Sequence, residues 1–167
     1  MKIDAELAKR YPWDNRRMKW RRRAGVIASA IPDGASVLDL GGGFCYLAKL
    51  LPGSRYASID VEPWTDATIV GDLNGEAWPD AGRWEVIVAQ GVIEYMTYAG
   101  EFLERIKKYA WPRSVLIATY RTGEPNGKRV NFMTFEELKL TMKATGWKVV
   151  FERALTSTER IFYCARA

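Results

Sequence analysis

Three carboxylates and a run of glycines pose the chemical question. Asp39-Leu40 leads into Gly41, Gly42 and Gly43, Asp60 lies about 20 residues on, Asp72 sits in Gly71-Asp72-Leu73-Asn74, and Gln90-Gly91 closes another apolar stretch. Glycines at a strand-to-helix turn let the backbone approach a bound group. A carboxylate at the end of the next strand can accept hydrogen bonds from both hydroxyls of a ribose. The pattern therefore suits an adenosine-type ligand. It suits a dinucleotide poorly, because that fingerprint needs a third glycine for close helix packing and the series here runs Gly41, Gly43, Tyr46. The chain has no histidine, which excludes a Ser-His-Asp triad and a histidine-based metal centre. Cys45 and Cys164 form neither a CxxC motif nor a zinc spacing, and no metal is expected.

Asp39-Leu40-Gly41-Gly42-Gly43 resembles the acidic-x-Gly-x-Gly motif of the class I S-adenosylmethionine-dependent methyltransferases. Gly71-Asp72-Leu73-Asn74 is similar to that family's adenine-binding segment. The stretch from Trp84 to Tyr95 is similar to the fourth-strand motif of its small-molecule, type 11-like members. The resemblance covers about residues 33 to 153. It implies a cofactor set of Asp39, Gly41, Gly43, Asp60, Val61, Asp72, Leu73, Gln90 and Gly91, with S-adenosylmethionine as the cofactor. Two positions depart from the pattern: Cys45 stands where a further glycine is common, and Tyr95 where a histidine often follows the glutamate. No catalytic residue transfers directly, and Glu94, Tyr95, Tyr120 and Arg121 are the candidates for contacting an acceptor. Methyl transfer asks chiefly for in-line placement, with a base needed only where the acceptor is protonated when bound.

The elements that must hold these residues are legible from periodicity. Apolar strands are expected at Ser36–Leu40, Tyr56–Ile59, Thr68–Val70, Trp84–Ala89, Ser114–Thr119, Trp147–Ala154 and Arg160–Ala165, with helices near Tyr46–Leu51, near Tyr98–Tyr109 and after Thr134. Runs such as Val86-Ile87-Val88-Ala89 lack polar alternation, as parallel strands covered on both faces do. Thr134-Phe135-Glu136-Glu137 is a capping-box signature, and that helix should stop at Gly146. The short link through Thr156-Ser157-Thr158 forces an antiparallel hairpin. The expected fold is α/β: a Rossmann-like, doubly wound, mostly parallel seven-stranded sheet with a reversed C-terminal strand, preceded by an N-terminal helical segment.

One domain fits 167 residues with 48% hydrophobic content, divided into a basic helical segment (1–32) and a Rossmann-like core (33–167). Residues 1–23 hold nine basic and three acidic residues, while the remainder holds sixteen and seventeen, so the net charge of +5 belongs to the N-terminal segment. There Trp20, Ala24, Ile27 and Ile31 share one helical face, Arg16, Lys19 and Arg23 another, and Asp14 is a candidate cap. The basic face points to solvent, an anionic small substrate or a nucleic acid. Tyr11 and Trp13 are candidates to close over the site. With no apolar run long enough to span a bilayer and no secretory start, a cytoplasmic location without membrane attachment is expected. The reading placed first is a methyltransferase acting on a small molecule, with acceptor recognition falling to the N-terminal segment and the loop Arg121–Phe132. Behind it stand a nucleic-acid methyltransferase, a non-catalytic cofactor-binding module and, last, a nicotinamide-dependent oxidoreductase. The oligomeric state is not encoded in any feature read.

Overall fold

The computed structural model describes residues 17–123 and 129–167, with side chains from residue 20 onward. Helix α1 (Arg17–Ala28) precedes β1 (Val37–Leu40), β2 (Tyr56–Asp60), β3 (Thr68–Val70) and β4 (Trp84–Gln90). These are followed by α2 (Ala99–Ile106), β5 (Ala110–Arg121), α3 (Phe135–Ala144), β6 (Trp147–Ala154) and β7 (Glu159–Arg166). The strands form one seven-stranded sheet in the order β3-β2-β1-β4-β5-β7-β6. The pairs from β3 to β5 are parallel, and β7 runs antiparallel to both neighbours. This is the expected mostly parallel sheet with a reversed C-terminal strand.

The uninterrupted apolar strands feed two cores because successive side chains point to opposite faces. Ile87 and Ala89 of β4 join Leu116 and Ala118 of β5 under α2 and α3, against Phe102, Leu103, Ile106, Leu138 and Met142. Val86, Val88 and Ile117 face the other way, against Ile27 and Ile31 around α1 and against Leu47 and Leu51. On β1, Val37 belongs to that second core. Asp39, two residues on, shares its face and is completely buried.

Local signals behave as their chemistry requires. Thr134 Oγ1 accepts from the Glu137 N–H at 3.2 Å while Glu137 Oε2 accepts from the Thr134 N–H at 2.7 Å, closing the capping box at the start of α3. The helix ends at Ala144, and Gly146 follows with φ +80°. The buried Trp147 indole donates to the Leu103 carbonyl at 2.8 Å and ties β6 to α2.

Two expectations need correction. The helix near Tyr46–Leu51 is a chain of turns ending in one 3-10 turn, Ala48–Leu50. Gly41, Gly43 and Cys45 all have left-handed φ (69°, 50° and 49°), which breaks up the helix start, and Pro52-Gly53 follows at once. Second, the helix near Tyr98–Tyr109 ends at Ile106 with a 3-10 turn over Lys107–Tyr109, and β5 begins at Ala110, four residues before the expected Ser114. Tyr11, Trp13, Asp14 and Arg16, the Lys19 side chain, and loop residues 124–128 lie outside the described residues.

Candidate functional site

Strand order reverses between β1 and β4: from β1 the chain steps outward through β2 to β3, and from β4 outward through β5. Loops leaving the two central strands therefore turn apart at their carboxyl ends and leave a crevice between them. A cleft of about 590 Å3 lies there, lined by residues that follow β1, β2, β3, β4 and β5. Because β7 is reversed and pairs Glu159 with Arg121, its first residue reaches the same edge.

The half of the cleft over β1 to β3 is built largely from backbone. Gly41, Gly42 and Gly43 line it, and at Gly42 the lack of a side chain is enforced from below, since a Cβ there would run into Ser58 Oγ and stand 3.0 Å from Asp39 Oδ2. Gly41, at φ +69°, lies against Val92, where a Cβ would be 2.8 Å from Cγ2. Asp60 closes the loop by accepting from the Gly43 N–H at 2.9 Å. Burial raises its pKa, against hydrogen bonds from Gly43 and the Trp64 side chain that lower it. Asp72 also lines the cleft, with Oδ1 accepting from the Asn74 N–H at 2.8 Å in an Asx turn. Asn74 in turn accepts from the Thr97 N–H and donates to the Tyr95 carbonyl, clamping the loops after β3 and β4 together.

Asp39 does not line the cleft. It lies beneath Gly42, where its Oδ2 accepts from the Tyr56 hydroxyl at 2.8 Å and its Oδ1 is buried without a partner. Burial pushes its pKa up to about 7; the Tyr56 hydroxyl opposes that shift, the Asp60 charge adds to it, and Arg23 opposes it. Cys45 is likewise internal: its thiol meets Thr65 Oγ1 at 3.4 Å, and burial raises its pKa, so it is a packed thiol rather than a nucleophile.

The half over β4, β5 and β7 is built from charged side chains. Glu159 accepts from Arg23 Nη1 at 2.7 Å and from Arg121 Nη2 at 2.6 Å. Burial would raise its pKa, but the hydrogen bond from Arg121 and the charge of Arg23 outweigh that and hold it below the usual value. The Arg23 guanidinium lies so close over Gly91 that a Cβ there would be 2.7–3.0 Å from it. Gly91 itself has φ +66° and donates its N–H to Thr119 Oγ1 at 2.8 Å. Glu94 is buried with Oε2 unpartnered, and burial raises its pKa against the charges of Arg23 and Arg129. Gln90 Oε1 is also buried and unpartnered. Acceptor atoms left bare in a cleft wall are positions for a ligand's donors.

No protein-family model matches the chain, and no curated protein matches it. Solved structures do. The pyocyanin biosynthetic protein PhzM matches with a TM-score of 0.73 at 18% identity, covering 99% of this chain, which spans 62% of that protein's length. The Burkholderia thailandensis 1,6-didemethyltoxoflavin-N1-methyltransferase, solved with its substrate and S-adenosylhomocysteine, matches at 0.72 and 16% identity over 98% of this chain and 86% of its own. A SAM-dependent methyltransferase from Aquifex aeolicus matches at 0.67 and 19% identity over 99% and 100% of the two chains. The fold is the Rossmann-like fold of these methyltransferases.

Within this fold, eight of the nine expected cofactor residues line one cleft: Gly41, Gly43, Asp60, Val61, Asp72, Leu73, Gln90 and Gly91. Of the acceptor candidates, Glu94, Tyr95 and Arg121 line it as well, whereas Tyr120 is fully buried with its hydroxyl donating to the Asn131 carbonyl at 3.2 Å. Trp20, on the helical face shared with Ala24 and Ile27, is half-buried, packs beside Ala24, Phe44, Tyr46 and Trp64, and also faces the cleft. The basic helix divides. Arg23 turns inward to Glu159, Arg21 lies over the Tyr46 ring at 5.3 Å, and Arg22 is exposed. Sequence reasoning missed Glu159 and Arg129. Glu159 was within reach, since a reversed strand necessarily starts at the carboxyl edge of its parallel neighbours. Arg129 carried no signal beyond its place in the loop after β5.

Proposed function

We propose that the protein is an S-adenosylmethionine-dependent methyltransferase acting on a small molecule. One observation carries the reading: Gly41, Gly43, Asp60, Asp72, Gln90 and Gly91, separated by up to 50 positions in sequence, converge on one cleft at the switch point of the sheet. The residues fit the group. The glycine loop gives backbone approach, Asp60 at the end of β2 suits ribose hydroxyls, Asp72 suits the adenine amine, and the cleft volume of about 590 Å3 lies within the usual range for cofactor sites. When bound, the cofactor supplies an activated methyl on a sulfonium leaving group.

The chain's own part is placement and proton handling. Gly41, Gly42 and Gly91 present bare backbone to a ligand, and side chains there would collide with Val92, Ser58 or Arg23. Glu94, with Oε2 free and a raised pKa, is the group positioned to hold a proton taken from an acceptor O–H or N–H. Trp20, Tyr46 and Tyr95 line the cleft and give a bound ligand aromatic surface against which water is displaced. A small-molecule acceptor is favoured over a nucleic acid because Arg23 is spent on Glu159 inside the cleft rather than presented to a backbone outside it.

A melting assay tests the cofactor. S-adenosylhomocysteine at a hundredfold excess over its dissociation constant should stabilise the protein by about 2.7 kcal/mol, and Asp60→Ala should remove the shift. Stabilisation by NAD alone, or a shift unchanged in Asp60→Ala, refutes the assignment. Release of S-adenosylhomocysteine during turnover with an acceptor separates an enzyme from a binding module.

A further inference from the structure

The charged half of the cleft is out of balance. Each oxygen of Glu159 already receives a guanidinium, one from Arg23 and one from Arg121. Among the described residues Arg129 has no counterpart. It is 8% exposed, its side chain lines the cleft, its Nε is buried without a hydrogen-bond partner, and among the described residues no carboxylate lies within ion-pair distance of it. The carboxylate that Arg129 influences is Glu94, and the two are not bonded: Glu94 Oε2 is itself unpartnered. The main chain fixes both groups, since the N–H groups of Val130 and Asn131 donate to the Glu94 carbonyl at 3.1 and 3.3 Å.

A guanidinium withdrawn from water and left unpaired is costly, so a protein that holds one in a cleft wall gains from whatever anion fills the gap. Arg23, Arg121 and Arg129 against Glu94 and Glu159 leave one positive charge when both glutamates are ionised, and a monoanion neutralises it. The planar fork of an arginine matches a carboxylate in two parallel hydrogen bonds. Arg129 follows β5 and is tied through its neighbours to Glu94 after β4, whereas Asp60 and Asp72, the expected ribose and adenine partners, follow β2 and β3 on the other side of the switch point.

We propose that the methyl acceptor carries a carboxylate and that Arg129 binds it, leaving Glu94 Oε2 to accept from a donor elsewhere on the same molecule. This rests on the methyltransferase reading above and names its substrate class.

The test is calorimetric titration of the full chain saturated with S-adenosylhomocysteine. The probes are benzoate, phenylacetate and indole-3-acetate, each beside its primary amide, with phenyl phosphate as the dianion. At least one acid should bind tenfold or more tightly than its amide and more tightly than phenyl phosphate. Arg129→Gln should erase the preference for the acid, Arg129→Lys should keep part of it, and both should bind S-adenosylhomocysteine within about twofold of the wild type. Acids no better than their amides, or failure of every acid to bind, overturns the proposal, as does a preference for phenyl phosphate. An Arg129→Gln protein that loses affinity for S-adenosylhomocysteine instead also overturns it, because the carboxylate held would then be the cofactor's own. If Arg129→Gln does not fold, the wild-type comparison of acid with amide and the Arg129→Lys protein decide. Failure of the wild type to bind S-adenosylhomocysteine at all is a failure of the methyltransferase reading, distinct from these.

Discussion

The two halves of the cleft are made by different means. Over β1 to β3 the wall is main chain, shaped by what cannot be there: Gly42 has no room for a methyl group above Ser58 and Asp39. The carboxylates Asp39 and Asp60, placed under or against the loop, both have pKa values raised by burial. Over β4, β5 and β7 the wall is side chain, drawn from α1, the turn after β4, the end of β5, the loop after it and the start of β7. There burial is met by opposite charge, and Glu159 ends below its ordinary pKa. Desolvation thus prevails at Asp39 and Asp60, whose partners are neutral, and at Glu94, which two guanidiniums influence without bonding, and loses only at Glu159, which two guanidiniums bond directly. A surface fixed by exclusion suits a constant ligand, whereas one fixed by charge pairs can be altered to suit a different one.

The sharpest way to break this contrast is through Asp39. Its folded pKa of about 7 stands above the ordinary value near 4 of an unfolded chain, so the native state binds the proton more tightly. The resulting stabilisation is complete below about pH 4 and is lost as pH rises through 7. The difference is on the order of 4 kcal/mol. Asp39→Asn should remove that slope, so that the gap between variant and wild type in urea melts widens from pH 4 to pH 8 in favour of the variant. Parallel pH profiles for the two proteins would mean that Asp39 is held as an ordinary carboxylate.

Glu159→Gln attacks the other half. It leaves Arg23 and Arg121 facing one neutral amide. Breaking a fully buried pair costs more, but Arg121 is about one-third exposed, so a loss of about 2–3 kcal/mol is expected. Affinity for S-adenosylhomocysteine should change less than threefold, and a larger change would show that the halves are not separable. Gly42→Ala is the converse. Its Cβ must displace Ser58 Oγ, at a cost of about 1–3 kcal/mol in stability, and affinity for S-adenosylhomocysteine should fall at least tenfold. Ser58 Oγ has no hydrogen-bond partner, so adding Ser58→Ala should restore part of both. No rescue would place the collision elsewhere in the loop.

The same contrast explains what the sequence disclosed. Strands β4 and β5 were visible because each is a continuous apolar run, and the positions after β1, β2 and β3 were visible because glycine and aspartate beside such runs are local signals. The turn at Cys45 was misread as helix, since a non-glycine residue at φ 49° leaves no trace in composition or periodicity. The charged half was hidden for a different reason. Arg23 and Glu159 are 136 positions apart, and only the strand order with its reversed final strand brings them within 2.7 Å. Charges that meet through topology look, one by one, like solvated surface. Asp39 shows the opposite limit: its position at the end of β1 was plain, but the alternation that turns it beneath the loop, toward Tyr56, was legible only with the sheet faces assigned.

Tyr56→Phe tests that last point with the smallest expected effect. The hydroxyl donates to Asp39 Oδ2 at 2.8 Å, and because it favours the charged form it holds the carboxyl pKa below where burial alone would set it. Removing it should move the Asp39 midpoint above 7 and extend the loss of stability to higher pH. Near pH 4, where Asp39 is protonated in the native state, the cost should be that of one neutral hydrogen bond, about 1 kcal/mol. By pH 8 it should be larger, because a charged oxygen is then left without its donor. The ring remains to pack against the α1-side core, so a penalty that is the same at both pH values would mean that the hydroxyl contributes packing and not charge stabilisation. In the double variant Asp39→Asn, Tyr56→Phe the pH dependence of the tyrosine effect should vanish.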